Sequence, residues 1–237
     1  MYHLLRRKIG LALLLFLLSS AATMAQMKEL YQEDHDARPY HFGINLGYNQ
    51  SHFNFTHNPR FLQYDSIMDV ESANNAGINL ALLANLRISD HFDIRAHPLD
   101  LTFSEKSFLY TQKYEAETSV TKKVQSITLS FPVSVAFSSD RINNFKVYVL
   151  AGGKYDYDLA SNKGAQQAED LIKLNKSNIS AEVGLGFHIY FPYFVLSPEI
   201  KLSDGLTDLH ARDPNLKYSN VIDKINSRMV TFSLTVE

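Results

Sequence analysis

The sequence predicts an all-β fold: about eight antiparallel strands closed into an up-and-down transmembrane β-barrel. Three observations predict it. From residue 40 onward, apolar and polar residues alternate with a period of two. The connections between these stretches are short and long by turns, the rhythm of barrels that cross a membrane with strands. The first 25 residues read as an export signal, and no later apolar run is long enough for a membrane helix.

The signal comes first in the chain. Arg6, Arg7 and Lys8 form a basic start, Ile9 to Leu18 an apolar centre, and Ser19 to Ala25 a run dominated by small residues, with cleavage expected after Ala25. The apolar centre is too short for a spanning helix, which needs about 20 residues. Removing residues 1–25 leaves 20 basic against 25 acidic side chains instead of 23 against 25. That balance gives no basic excess for nucleic acid. The 237 residues include no cysteine, so disulfides, thiolate metal sites, cysteine nucleophiles and a cysteine-linked lipid are all excluded. Residues 26–39 are polar and acidic and are expected to form a flexible periplasmic lead. The barrel is expected over 40–237.

The first strand is placed at about Tyr40–Phe55. Phe42, Ile44, Leu46 and Tyr48 share one face, and Gly43, Asn45, Gly47 and Asn49 the other. Phe53 and Phe55 reverse this phase, which suggests a bulge near Gln50-Ser51. The second strand, Asn75–Ile88, sets Ile78, Leu80, Leu82, Ala84 and Leu86 against Gly77, Asn79, Ala81, Asn85 and Arg87. The third starts at Phe92, shifts phase at Pro98 and continues through Leu99, Leu101 and Phe103. Five more follow at Val124–Phe137, Asn144–Leu159, Asn178–Tyr190, Phe194–Leu202 and Arg228–Val236, each alternating in the same way. Short turns fall at 89–91, 138–143 and 191–193. Long loops fall at 57–73, 111–122, 160–176 and 203–227, and both ends of the barrel chain lie on the short-turn side.

Alternation alone does not say which face is inside, since a soluble barrel alternates with the opposite sense. The polar face here is mostly Gly, Asn, Ser and Thr, which suits a narrow lumen better than a surface in water. The chain also carries 13 Tyr and 15 Phe. Phe92, Phe137, Phe145, Tyr190, Phe191, Tyr193 and Phe194 flank the short turns. Phe53, Phe55, Phe103, Phe108, Tyr110, Tyr155 and Tyr157 lie toward the long loops, as two aromatic girdles would. The apolar face is therefore expected to meet outer-membrane lipid.

Charges on the lumen face can be paired by register. If Ile88 faces Phe92, then Arg87 faces Asp93 and Asn85 faces Arg95. A similar register at Pro192 sets Gly186 against Glu199 and Gly184 against Lys201, with Lys201 reaching diagonally to Glu182. These six residues, Arg87, Asp93, Arg95, Glu182, Glu199 and Lys201, are expected to form a neutralised polar plug, because buried charges without partners are costly; the other reading is a conducting or substrate-reading pore, for which eight strands leave little open lumen. No catalytic, cofactor or metal site is expected. Asp204, Asp208, His210 and Asp213 in the last long loop could hold a hard cation or act as acid and base, but such a loop is more often simply acidic and solvated. His41, His52, His57, His91 and His97 lack the spacing of helical metal ligands. Gly152-Gly153-Lys154 lacks the rest of a phosphate loop, and no nucleophile elbow is present. Asp156 and Asp158, between Tyr155 and Tyr157, read as lumen positions alternating with girdle positions.

The stretches His41-Phe42-Gly43-Ile44-Asn45-Leu46-Gly47, Phe61-Leu62-Gln63-Tyr64-Asp65-Ser66 and Arg141 through Gly152 resemble the PorT family. So do Asp158-Leu159-Ala160-Ser161, Ser197-Pro198-Glu199-Ile200 and Met229 through Thr235. The resemblance implies an outer-membrane barrel that serves the type IX secretion system, with other secretion subunits as partners and with no catalytic residues or cofactors. A stand-alone structural or adhesive barrel, or a barrel enzyme with an outer-loop site, are the other readings.

Overall fold

A computed structural model describes residues 29–58, 67–112, 119–160, 174–211 and 222–237. The signal at 1–25, the stretch 61–66 and Asp213 lie outside them. Nine strands are described: β1 (Tyr40–His57), β2 (Ile67–Ala73), β3 (Asn75–Arg87), β4 (Phe92–Gln112), β5 (Ser119–Ser138), β6 (Phe145–Asp158), β7 (Ser177–Tyr190), β8 (Val195–Gly205) and β9 (Ile222–Val236). Their order is β2-β4-β3-β1-β9-β8-β7-β6-β5, and β4 pairs again with β5. That last pairing closes β1 and β3–β9 into an eight-stranded antiparallel barrel. Strand β2 continues β3 across Asn74 and pairs with the far end of β4.

The side chains sort as an inside-out barrel requires. Phe42 is 71% exposed and Leu46 is 60% exposed on the outer face, whereas Asn45 and Asn49 between and beyond them are fully buried. Exposed Leu80, Leu82, Val133, Val149, Val183, Leu202 and Leu234 continue the apolar band around the barrel. So broad an apolar outer surface fits hydrocarbon and not water.

Two phase shifts were expected, and they have different physical origins. At Pro98 the register slips between Ala96 and Asp100 against β5, and between Leu82 and Ala84 against β4. His97 and Asp100 are both buried while Pro98 and Leu99 face out, so this is a true bulge. Proline has no N–H to leave unpaired there. Near Gln50-Ser51 there is no bulge. Gln50, Ser51, His52 and Phe53 pair in unbroken register with Val230, Met229, Arg228 and Ser227. Phe53 instead turns inward and is buried with Val70, Tyr110, Leu174, Leu209, Ile222 and Ile225. The backbone keeps its phase and the surroundings change. Beyond the lipid the outer face meets water, so polar Gln50, Asn54 and Thr56 point out and apolar groups fill the interior.

This also corrects the strand lengths and part of the outer girdle. The loops expected at 57–73, 111–122 and 203–227 are partly strand: β2 falls in the first, β5 begins at Ser119, and β9 begins at Ile222. At about 3.3 Å per residue and a tilt near 40°, the 21 residues of β4 rise about 50 Å, well past an apolar band of about 25 Å. Phe53 and Tyr110 belong to the apolar cap of this extension. Exposed Phe103, Tyr155 and Tyr157 keep outer-girdle positions. At the other end Phe92, Phe137, Phe145, Phe191, Tyr193 and Phe194 are exposed, but Tyr190 is buried inside.

Candidate functional site: the filled lumen and its mouth

The three short turns fix the registers on which the lumen depends. Ile88 N–H donates to the Phe92 carbonyl at 2.9 Å. Arg87 then stands opposite Asp93, and Asn85 opposite Arg95. At the last short turn Gly186 faces Glu199 and Gly184 faces Lys201. All four pairings match the sequence register. The side chains go further than the register. Arg95 and Glu199, both almost completely buried, form an ion pair at 2.9 Å. Lys201 Nζ lies 3.7 Å from Glu199 Oε2 and 4.0 Å from Glu182 Oε1. Arg87 turns away from this group and pairs with Asp90 at 2.6 Å, on the rim. The structure thus brings together Arg95, Glu182, Glu199 and Lys201, and leaves Arg87 and Asp93 facing each other by register at the mouth.

Other members were not anticipated. The Tyr148 hydroxyl donates to Glu199 Oε1 at 2.7 Å, and the Arg95 guanidinium lies 4.7 Å from the Tyr148 ring centre. Arg95 also approaches Glu237 Oε1 at 3.7 Å. Lys154 pairs with Asp156 at 3.5 Å, and Asp156 accepts from Ser130 and Ser180. His97, Asp100 and His188 are buried beside them. The period of two already placed Tyr148, Lys154 and Asp156 on the polar face. What it could not supply was the contact across the lumen.

Gly186 makes room for this arrangement. A Cβ there would lie closer to atoms of the Tyr148 side chain than van der Waals contact allows. Gly186→Ala is therefore expected to displace Tyr148 from Glu199 and to lower unfolding stability by about 1–3 kcal/mol, measurable by urea titration of the folded barrel. Above the charged group a chamber of about 40 Å³, bordered by Thr128, Asp156 and Leu209, has room for a water or two and not for a solute.

The segment expected to be a flexible lead is held in the mouth from Tyr31 onward. Arg141 is the main holder. Its guanidinium donates to the Tyr31 and Gln32 carbonyls, pairs with Asp36 at 3.3 Å and stacks 3.6 Å from the Tyr190 ring centre. Asn143, in the left-handed region at φ 55°, turns the chain so that its carbonyl accepts from Arg141 Nε at 2.7 Å. Asn144 Oδ1 accepts from Tyr31 N–H, and the Tyr190 hydroxyl donates to Asp36 at 2.7 Å. Burial by itself would raise the Asp36 carboxyl. The Tyr190 bond, Lys146 and Arg141 outweigh burial and hold it below the usual range. Burial, and next the adjacent His41 ring, push the His35 imidazole down to about 4, so it is neutral near pH 7. The lead is polar, and from Tyr31 onward its polar groups find partners on the barrel, which composition alone does not reveal.

The last long loop is not simply solvated. Asp208 Oδ1 accepts from the backbone N–H groups of His210 and Ile225, each at 3.0 Å, so it ties the loop to β9. Asp204 pairs with Arg228 at the exposed surface at 3.1 Å.

A family match agrees with this architecture. Residues 24–211 match the family described as outer membrane protein beta-barrel domain. The chain is similar to Neisserial surface protein A, at 12% identity over 84% of this chain and 99% of that one, with a TM-score of 0.45. It is also similar to OprG of Pseudomonas aeruginosa, at 11% identity over 82% and 93%, with a TM-score of 0.40. Ail, the attachment invasion locus protein of Yersinia pestis, has 12% identity over 82% and 96%, with a TM-score of 0.38. Among curated proteins none matches the chain. The match over 24–211, with the closed barrel and its outward apolar band, shows that the chain belongs to the outer membrane protein beta-barrel domain family and resides in the outer membrane.

Proposed function

We propose that this protein is a non-conducting, non-enzymatic barrel that acts through its two ends rather than through its lumen. The observation that carries this reading is the Arg95–Glu199 pair, in which both side chains are at most 2% exposed inside the barrel. A pore that passes solutes keeps such charges wet. Here they are locked to Lys201 and Tyr148 instead. Purified barrel inserted in planar bilayers is expected to give no steady conductance, and stable stepwise channels would overturn the reading.

For the work done at the ends, we place the protein as an accessory of type IX secretion that contacts other secretion subunits. This rests on the PorT-like stretches. One of them, Arg141 through Gly152, supplies Arg141, Asn144 and Lys146, the hold on the lead at the mouth. A clean deletion should leave type IX cargo in the periplasm and deplete it from the cell surface, with recovery on complementation. Unchanged export would favour a stand-alone structural or adhesive barrel. The hairpin of β4 and β5, projecting past the apolar band, is the feature that would serve that role.

A further inference from the structure

We propose that His35, His41 and Glu237 bind a divalent transition-metal ion of the zinc class, which clips the segment before β1 to the seam where β1 meets β9. His35 lies on that segment, His41 is the second residue of β1, and Glu237 directly follows β9. One donor atom from each falls within 4.8 Å of the others.

The ligand atoms are buried and, among the described residues, without hydrogen-bond partners. Both carboxylate oxygens of Glu237, both ring nitrogens of His35 and Nδ1 of His41 make no hydrogen bond to the described residues, and the Glu237 side chain is 1% exposed. Buried polar atoms are nearly always satisfied, so an unpartnered group of this kind points to something that fills it. The tautomer of His41 is set by its neighbour. His41 Nε2 lies 2.7 Å from the His35 carbonyl oxygen, which only accepts, so Nε2 carries the proton and Nδ1 offers a lone pair. An imidazole that donates one nitrogen to a carbonyl and presents the other is the usual arrangement around a protein-bound metal. Arg95 lies 3.7 Å from Glu237 Oε1, while Oε2 is directed toward His35 Nε2 at 4.0 Å.

An access route exists. A groove of about 600 Å³ bordered by Gln32, Arg38, Tyr40 and Tyr193 reaches His35, His41 and Glu237 from outside. Two imidazoles and one carboxylate suit zinc and its neighbours, whereas magnesium and calcium favour all-oxygen sets. The rings now stack at 4.0 Å with their planes 14° apart. A lone pair lies in its ring plane, so one ring must tilt on binding. Donors around tetrahedral zinc sit about 3.3 Å apart. His35, which stands outside the strands, is the ring assigned to tilt.

The test uses the full chain, folded in detergent micelles and stripped with a chelator. Titration with Co²⁺ should produce a saturating visible band of low-symmetry, four-coordinate type. Zn²⁺ should remove it and Mg²⁺ should not. His35→Ala lies outside the barrel strands, so its gel shift on boiling should match that of the unaltered protein while the Co²⁺ band disappears. H41A and E237Q should lose the band too, and His91→Ala, at a neighbouring turn, should keep it. Zn²⁺ should also slow proteolysis within 31–39 in the unaltered protein and not in H35A. Absence of a saturable band, or a band equal in H35A and H41A, would overturn the site and assign its unpartnered atoms to water.

Discussion

Replacing Arg95 with Met should lower the unfolding free energy of the barrel by about 3 kcal/mol, the lower end of the range for breaking a buried ion pair. The substitution removes the cation that faces Glu199 at 2.9 Å and Glu237 at 3.7 Å, and the group stacked on Tyr148. The loss falls at the lower end because Glu199 keeps Lys201 at 3.7 Å and the Tyr148 hydroxyl. The double variant Arg95→Met with Glu199→Met should recover much of the loss, since it removes a desolvated anion together with its cation, and Lys201 keeps Glu182. Urea titration followed by gel mobility or far-ultraviolet circular dichroism gives the comparison. A loss below about 1 kcal/mol for Arg95→Met would mean that these charges behave as a hydrated pair. The closed lumen, and the function built on it, would then lose its main support.

Leu46→Arg should cost about 2–4 kcal/mol, whereas Asn54→Arg on the same face of β1 should cost about 0–1 kcal/mol. Leu46 is flanked in register by Leu80 and Leu234, both exposed, at the middle of the apolar band. In water an exposed leucine is replaced by arginine at little cost. In hydrocarbon the same change places a charge at the depth where it is least tolerated. Asn54 lies where the inside and outside of the strand have exchanged character, beyond the lipid. Equal costs at the two positions, measured by unfolding from lipid vesicles, would sink the inferred edge of the band.

These two positions also show how far the sequence could be read. A reversal of apolar parity within one strand has two physical causes: an extra residue, or a change of solvent along the strand. At Pro98 the proline itself marked a break in the ladder, and the bulge was found there. At Phe53 nothing in the local residues separates the two causes. Only the unbroken register with β9 does. Strand β2 was missed for a related reason. Its residues Ile-Met-Asp-Val-Glu-Ser-Ala alternate weakly, and it is held as a strand by pairing with the far part of β4.

The candidate sites divide along the same line. Glu182, Glu199 and Lys201 could be grouped from register because a short turn sets which residues of adjoining strands face each other. Arg95 and Glu199 could not be paired that way. They sit on β4 and β8, which are not neighbours in the sheet, and they meet only because the sheet closes. Glu237, Tyr148 and the docked His35 entered by the same route.

What the sequence by itself determined is therefore what depends on near neighbours: an all-β chain, eight spanning strands, the alternation of lipid and lumen faces, and the registers at tight turns. The tertiary structure decided which charges neutralise one another across the lumen, where the membrane stops and water begins along each strand, and where the polar lead comes to rest. The physical reason is that hydrophobic period and turn length act over a few residues. Contacts across a closed barrel depend instead on its curvature and strand stagger, which belong to the whole sheet.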